Sequence, residues 1–230
     1  MFSSKLPSRH MFKLIKGSRL SNAQIRSVIR YFALELTSTA CAKALKLNRH
    51  TTDRVYETIR TNIAWYCETH QGIFQGEVEL DESYFGGHRK YLRGRSTQQK
   101  VPVFGVLKRK DQVYTQIIPD VSRKTLMSIV RNKVDIHSTV YTDSFSSYDG
   151  LILDGYKHYR INHSKEFART KKNHINGIES FWSYAKRKLV KFYGVSPERF
   201  YLYLKEMEFR FNNRNCPDLA SLIEKVMKMK

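Results

Sequence analysis

The sequence predicts an α/β domain preceded by a helical region, and three observations predict it. Between residues 21 and 72, apolar side chains recur at helical spacing. After Gly72 and Gly76 the spacing changes to short strand-like runs. From residue 122 onward, amphipathic helical stretches alternate with short apolar strands. These breaks divide the chain into a helical region 1–72, an α/β region 73–215 and a C-terminal helix 216–230.

The first helix starts at Ser21, which with Gln24 has the pattern of a capping box, and it turns Ile25, Val28, Ile29, Phe32 and Leu36 to one face. A short Ala-rich helix then ends at Leu45, residues 46–48 turn, and a further helix points Val55, Ile59 and Ile63 inward. This is a helix-turn-helix pattern. In that geometry the early outward residues of the second helix of the pair, Arg49, His50, Thr51, Thr52 and Arg54, face a DNA major groove. An ordinary helical hairpin would show the same spacing.

In the α/β region, EVELDESYFGG, VPVFGVLKR and QVYTQIIPD read as three successive strands. SRKTLMSIVRNKV follows as an amphipathic helix, HSTVYTD and GYKHYRI as strands, and NGIESFWSYAKRKLVKF as a long helix ended by Gly194. Within that helix Ile178, Phe181, Trp182, Ala185 and Leu189 form an apolar stripe, which assigns Trp182 to the core. Pro197, in the first turn after Ser196, opens a helix with Phe200, Tyr203, Leu204, Met207 and Phe211 inward, and Pro217 opens the last.

With 41 Lys plus Arg against 21 Asp plus Glu, the 230-residue chain has a formal charge of +20, which favours a polyanionic partner over a neutral metabolite. Its hydrophobic fraction of 41% is enough to fold, so this is no disordered basic tail. Cys41, Cys67 and Cys216 have no CxxC or zinc-finger spacing and read as reduced, structural residues. No stretch approaches about 18 apolar residues and the start lacks a signal-peptide core, so a soluble cytosolic protein with no membrane partner is expected.

Three strands, a helix, two strands and a helix is the order of a ribonuclease H-like core, a mixed sheet flanked by helices. Acids on its first strand, fourth strand and late helix converge, and the sequence has one at each place: Asp81, Asp143 and Glu179. Phosphodiester cleavage calls for that grouping, because two hard cations roughly 3.5 to 4 Å apart activate the attacking and leaving oxygens. Like charges gathered without cations would raise one another's pKa. Taken singly, Asp143 reads equally as a turn cap, Glu179 as a solvated helix residue and Asp81 as a sheet-edge acceptor. Asp81 is the hardest to dismiss, since LDES puts a charge into an apolar strand.

The segments DESYFGG, YTDSFSSYDGL, HINGIESFWSYAKRKL and FRFNNR resemble, in order and spacing, the transposase domain of IS1595-family insertion sequences, its IS1016-like and ISXO2-like members in particular, over residues 75–215. The resemblance implies a prokaryotic, nucleoid-associated DDE transposase that binds terminal inverted repeats, exposes a 3′-hydroxyl and joins it to target DNA. It implies two Mg²⁺ or Mn²⁺ ions on Asp81, Asp143 and Glu179, and at least a dimer on double-stranded DNA. Asn176, one turn before Glu179, then has an amide beside the metals or else a capping role near Gly177. Lys186, two turns after Glu179, is a phosphate grip or one solvated charge of KRK.

Two basic segments flank these acids. GGHRKYLRGRSTQQK, with Arg89, Lys90, Arg93 and Arg95, and HSKEFARTKKNH, with Lys171 and Lys172, read as phosphate-contact loops or as solvated surface. Many relatives carry an N-terminal zinc ribbon, and this chain has no four-ligand set for one, so recognition of DNA ends falls to the helical region. A transposase-derived DNA-binding protein that no longer cuts, and a ribonuclease H-like nuclease without strand transfer, are the competing readings.

Overall fold

A computed structural model describes residues 13–86, 100–161, 174–190, 192 and 195–229. In chain order the elements are α1 (Asn22–Ala33), α2 (Ser38–Leu45), α3 (Arg49–His70), β1 (Glu77–Phe85), β2 (Val101–Lys108), β3 (Val113–Ile117), α4 (Arg123–Lys133), β4 (Thr139–Thr142), α5 (Gly150–Leu153), β5 (Lys157–Arg160), α6 (Asn176–Val190), α7 (Pro197–Asn212) and α8 (Leu219–Met229). They divide into two compact units, Met1–Ile63 with Cys216–Lys230, and Ala64–Asn215. Helix α3 contributes residues 49–63 to the first and 64–70 to the second.

In the first unit, the Ser21 hydroxyl accepts from the Gln24 backbone N–H while the Gln24 side chain accepts from the Ser21 N–H, so the expected capping box forms. Ile25, Val28, Ile29 and Phe32 are buried as the spacing predicts. Leu36 is not on this helix, which ends three residues earlier at Ala33, where the chain turns through Leu34 and left-handed Glu35 at φ 61°. Left-handed Lys46 ends α2, and the Asn48 side chain accepts from the His50 N–H at the start of α3. Val55, Ile59 and Ile63 then point into the core. Helix α8 closes this core against α1 with Ile223, Val226 and Met227. Its start is capped by Asp218, which takes the Ser221 N–H, in place of the opening expected at Pro217.

The second unit is built on a five-stranded mixed sheet of order β3-β2-β1-β4-β5. β2 runs antiparallel to both β1 and β3, whereas β1, β4 and β5 are mutually parallel. The element order matches the sequence expectation, with a 3-10 turn (Ser146–Asp149) and α5 added between β4 and β5. Alternation along β1 decides which residues face which layer. Val78 and Leu80 pack with α4 residues Leu126, Met127 and Val130 on one face. Phe85 and β2 residues Val103 and Leu107 pack with Ile178, Phe181 and Trp182 of α6 on the other. Pro197 occupies the first turn of α7 after Ser196, as expected; Gly194 lies outside the described residues. Phe200, Leu204 and Met207 are buried in the predicted stripe, but so are Lys205, Glu206, Glu208 and Arg210, so α7 has no simple solvated face along this stretch.

Candidate active site

Strand pairing sets the spacing of the first two acids. Parallel β1 and β4 align Glu79 with Tyr141, and two residues further along this register Asp81 comes beside Asp143, just past the end of β4. Across the antiparallel pair, Asp81 stands opposite Gly105. A Cβ at Gly105 would lie 2.5 Å from the Trp182 ring, so the missing side chain is what admits the indole to this part of the sheet. The Trp182 Nε1–H donates to Asp81 Oδ2 at 3.0 Å. Trp182 is therefore both the core residue expected and a polar partner of Asp81, a role the helical stripe does not announce.

The electrostatics around Asp81 follow from this placement. Burial, and then the neighbouring carboxylates Glu82 and Asp143, push the Asp81 carboxyl up to about 7. Glu82, on the opposite face of β1, accepts from the Tyr148 hydroxyl at 2.6 Å and is itself raised, first by burial. Asp143 is held by its own turn: Oδ1 accepts the Phe145 N–H at 2.9 Å. Behind it, the Thr142 hydroxyl donates to the Asp143 carbonyl at 2.7 Å and lies 2.8 Å from His158 Nε2. Burial, followed by nearby Arg160, lowers His158 to about 4, so the ring is neutral near pH 7.

Helix α6 brings Lys186 to the same region. Its ammonium sits 5.6 Å from the Phe85 ring centroid; the residue as a whole is exposed, but desolvation of the amine end lowers its pKa while Asp81 opposes the shift. Glu179 lies on the same side of α6, one turn before Trp182, and is exposed. Asn176 is the exposed first residue of the helix. The structure thus gathers Asp81, Asp143 and Lys186. Among the described residues no group of three His, Cys, Asp or Glu side chains is arranged to hold a metal ion, and Glu179 does not complete a set with the two aspartates. The two aspartates nevertheless suit hard cations: they are oxygen donors brought together, and their mutual repulsion is what a bound cation would relieve.

Of the other candidates, Arg49, His50 and Arg54 are exposed and Thr51 is half-buried. Thr52 corrects the expectation: it is wholly buried, with its hydroxyl 3.2 Å from the Asn48 carbonyl, so it has no surface to present to DNA. Arg89, Lys90, Arg93, Arg95, Lys171 and Lys172 lie outside the described residues. Sequence reasoning passed over Glu82, Tyr148 and His158; the adjacent acids of LDES were the available signal for the first.

Residues 73–212 match the ISXO2-like transposase domain. An uncharacterized transposase-like protein of Haemophilus influenzae is 49% identical over 119 residues, 52% of this chain and 96% of the relative. An uncharacterized protein in transposable element ISH50 of Halobacterium salinarum is 30% identical over 155 residues, 59% of this chain and 52% of the relative. Among the described residues, no helix is long and apolar enough to cross a membrane.

Proposed function

The chain belongs to the ISXO2-like transposases of the IS1595 family, and from that premise we propose that it cuts the ends of an insertion sequence and joins them to target DNA. The observation that carries this reading is the pairing of Asp81, at the middle of β1, with Asp143, just past the end of the adjoining parallel β4, with Lys186 facing them from α6. The strand order and directions, with helices on both faces, support a ribonuclease H-like core.

On this reading Asp81, Asp143 and Glu179 are the side chains that hold two Mg²⁺ or Mn²⁺ ions, Glu179 turning inward from its exposed place on α6. Such ions supply charge neutralisation at the reacting phosphate and activation of the attacking oxygen. Trp182 orients the Asp81 carboxylate through the indole N–H. Lys186 grips a phosphate next to the reacting one, and Asn176 offers its amide at the start of the same helix. In the first step water attacks phosphorus and the element's 3′-oxygen leaves, taking up a proton. In the second that 3′-hydroxyl attacks a target phosphodiester, forming one P–O bond as another breaks and releasing a target 3′-hydroxyl. Arg49, His50, Thr51 and Arg54 of the helical unit read the terminal repeat. Two copies hold the two ends, in the cytoplasm where the DNA lies.

The test is joining of pre-cut terminal-repeat DNA to a plasmid with Mg²⁺ or Mn²⁺. Wild-type protein is expected to join, and Asp81→Asn to lose joining while binding the same DNA. Hydrolysis without joined product would transfer the chain to the nucleases, and binding without either reaction would make it a transposase-derived DNA-binding protein.

A further inference from the structure

Glu79 sits two residues before Asp81 on the same face of β1, is 1% exposed, and receives the backbone N–H of Ile178 at 2.9 Å. It caps the first turn of α6 from outside the helix, where a carboxylate meets the positive end of the helix dipole. Arg109, one residue beyond β2, completes the arrangement. Its guanidinium donates to Glu79 Oε1 at 2.9 Å and to the His174 carbonyl at 2.6 Å, and approaches Glu77 at 3.3 Å. It also stacks 3.7 Å from the centroid of the Tyr141 ring, whose hydroxyl donates to Glu77 at 2.8 Å. Gly177 lets this fit: a Cβ there would lie 2.8 Å from Glu79 Oε2 and 3.0 Å from Leu107.

These contacts tie together β1 and α6, which carry Asp81 and Glu179, and β4, which Asp143 directly follows. We infer that Glu79, Arg109 and Gly177 form a latch that sets where α6 sits along β1, making them positioning residues for Glu179 and Lys186. Because α6 meets β1 at two polar points about one turn apart, Ile178 N–H to Glu79 and Trp182 to Asp81, loosening the first changes the geometry at the second. The inference rests on the strand-joining reading for its consequence, though not for its geometry.

Two variants test it in a Trp65→Phe chain, where Trp182 is the remaining tryptophan. Arg109→Lys keeps the charge but loses the fork that reaches Glu79 and His174 together. Gly177→Ala inserts the excluded Cβ, yet improves intrinsic helix propensity, so a merely local role predicts an equal or better protein. Both are expected to fold, to shift the Trp182 emission, and to lower kcat for joining about 100-fold with KM for the DNA end unchanged, as an ångström-scale misplacement does. Should Arg109→Lys fail to fold, Gly177→Ala decides alone. Folded variants with wild-type kcat and emission overturn the latch. If the parent chain itself joins no DNA, the functional reading fails separately, and the emission still decides: a shift upholds the latch and an unchanged spectrum overturns it.

Discussion

Two buried charged clusters in the same unit are handled in opposite ways. Around α7, Lys205 is fully buried and its ammonium is met by Glu208 at 3.0 Å, Glu68 at 2.8 Å and the Thr115 carbonyl at 2.9 Å. Glu208 in turn receives the Thr115 N–H and hydroxyl. Burial alone would lower Lys205, but the two carboxylates outweigh it and hold the ammonium above its ordinary pKa. Around β1, by contrast, burial and then the neighbouring carboxylates raise Asp81, burial and Asp143 raise Glu82, and among the described residues no salt bridge offsets either shift. The first cluster supplies its own cation and serves the fold. The second leaves its charge to be matched from outside, which is the arrangement a cation- and phosphate-handling site requires.

The largest effect should come from breaking the first cluster. Lys205→Met leaves Glu208 and Glu68 without their cation and is expected to destabilise the chain by about 3–5 kcal/mol in denaturant unfolding. A loss within experimental scatter would show that the cluster is no more than buried decoration.

The second cluster predicts the reverse sign. A carboxyl raised to about 7 when folded, from an ordinary 3.8, binds its proton more tightly folded than unfolded. Stability therefore falls as pH rises from about 4 to 7, and the cost is absent below that window. Asp81→Asn should stabilise the protein at pH 8 by on the order of 2 kcal/mol, allowing for solvent screening, and leave it unchanged at pH 4. Mg²⁺ should raise the melting temperature of the wild type at pH 8 and leave that of the variant where it is. Destabilisation by Asp81→Asn at pH 8 would remove the contrast between the clusters.

The smallest effect belongs to a solvated pair in the helical unit. Arg26 meets Glu224 at 3.1 Å with nearly half its side chain exposed, and Lys228 holds the same carboxylate at 2.7 Å. Arg26→Ala should change stability by less than about 0.5 kcal/mol in the same unfolding measurement. A larger loss would mean that burial is not what separates the two clusters.

How much of this was legible beforehand depends on the range of each interaction. The start of α1 could be read because Ser21 and Gln24 are three residues apart. The strands could be read because alternation is a property of neighbours, and Asp81 stood out as a charge within an apolar run. Thr52 carried a local signal against surface exposure, since it stands three residues before Val55 and seven before Ile59, on the face that α3 buries; the helix-turn-helix template grouped it with its exposed neighbours. The partnership of α8 with α1 spans nearly the whole chain and leaves no local mark.

The order of strands and helices, the family and the acids worth suspecting were all legible along the chain, because periodicity, capping and motif spacing are local or ordered in sequence. Which acids are neutralised was settled by folding. Glu79 and Asp81 sit on one face of one strand, two residues apart. Arg109 lies against the first, while the second meets an indole and two further carboxylates. A charge's energy depends on what folding brings within a few ångströms of it.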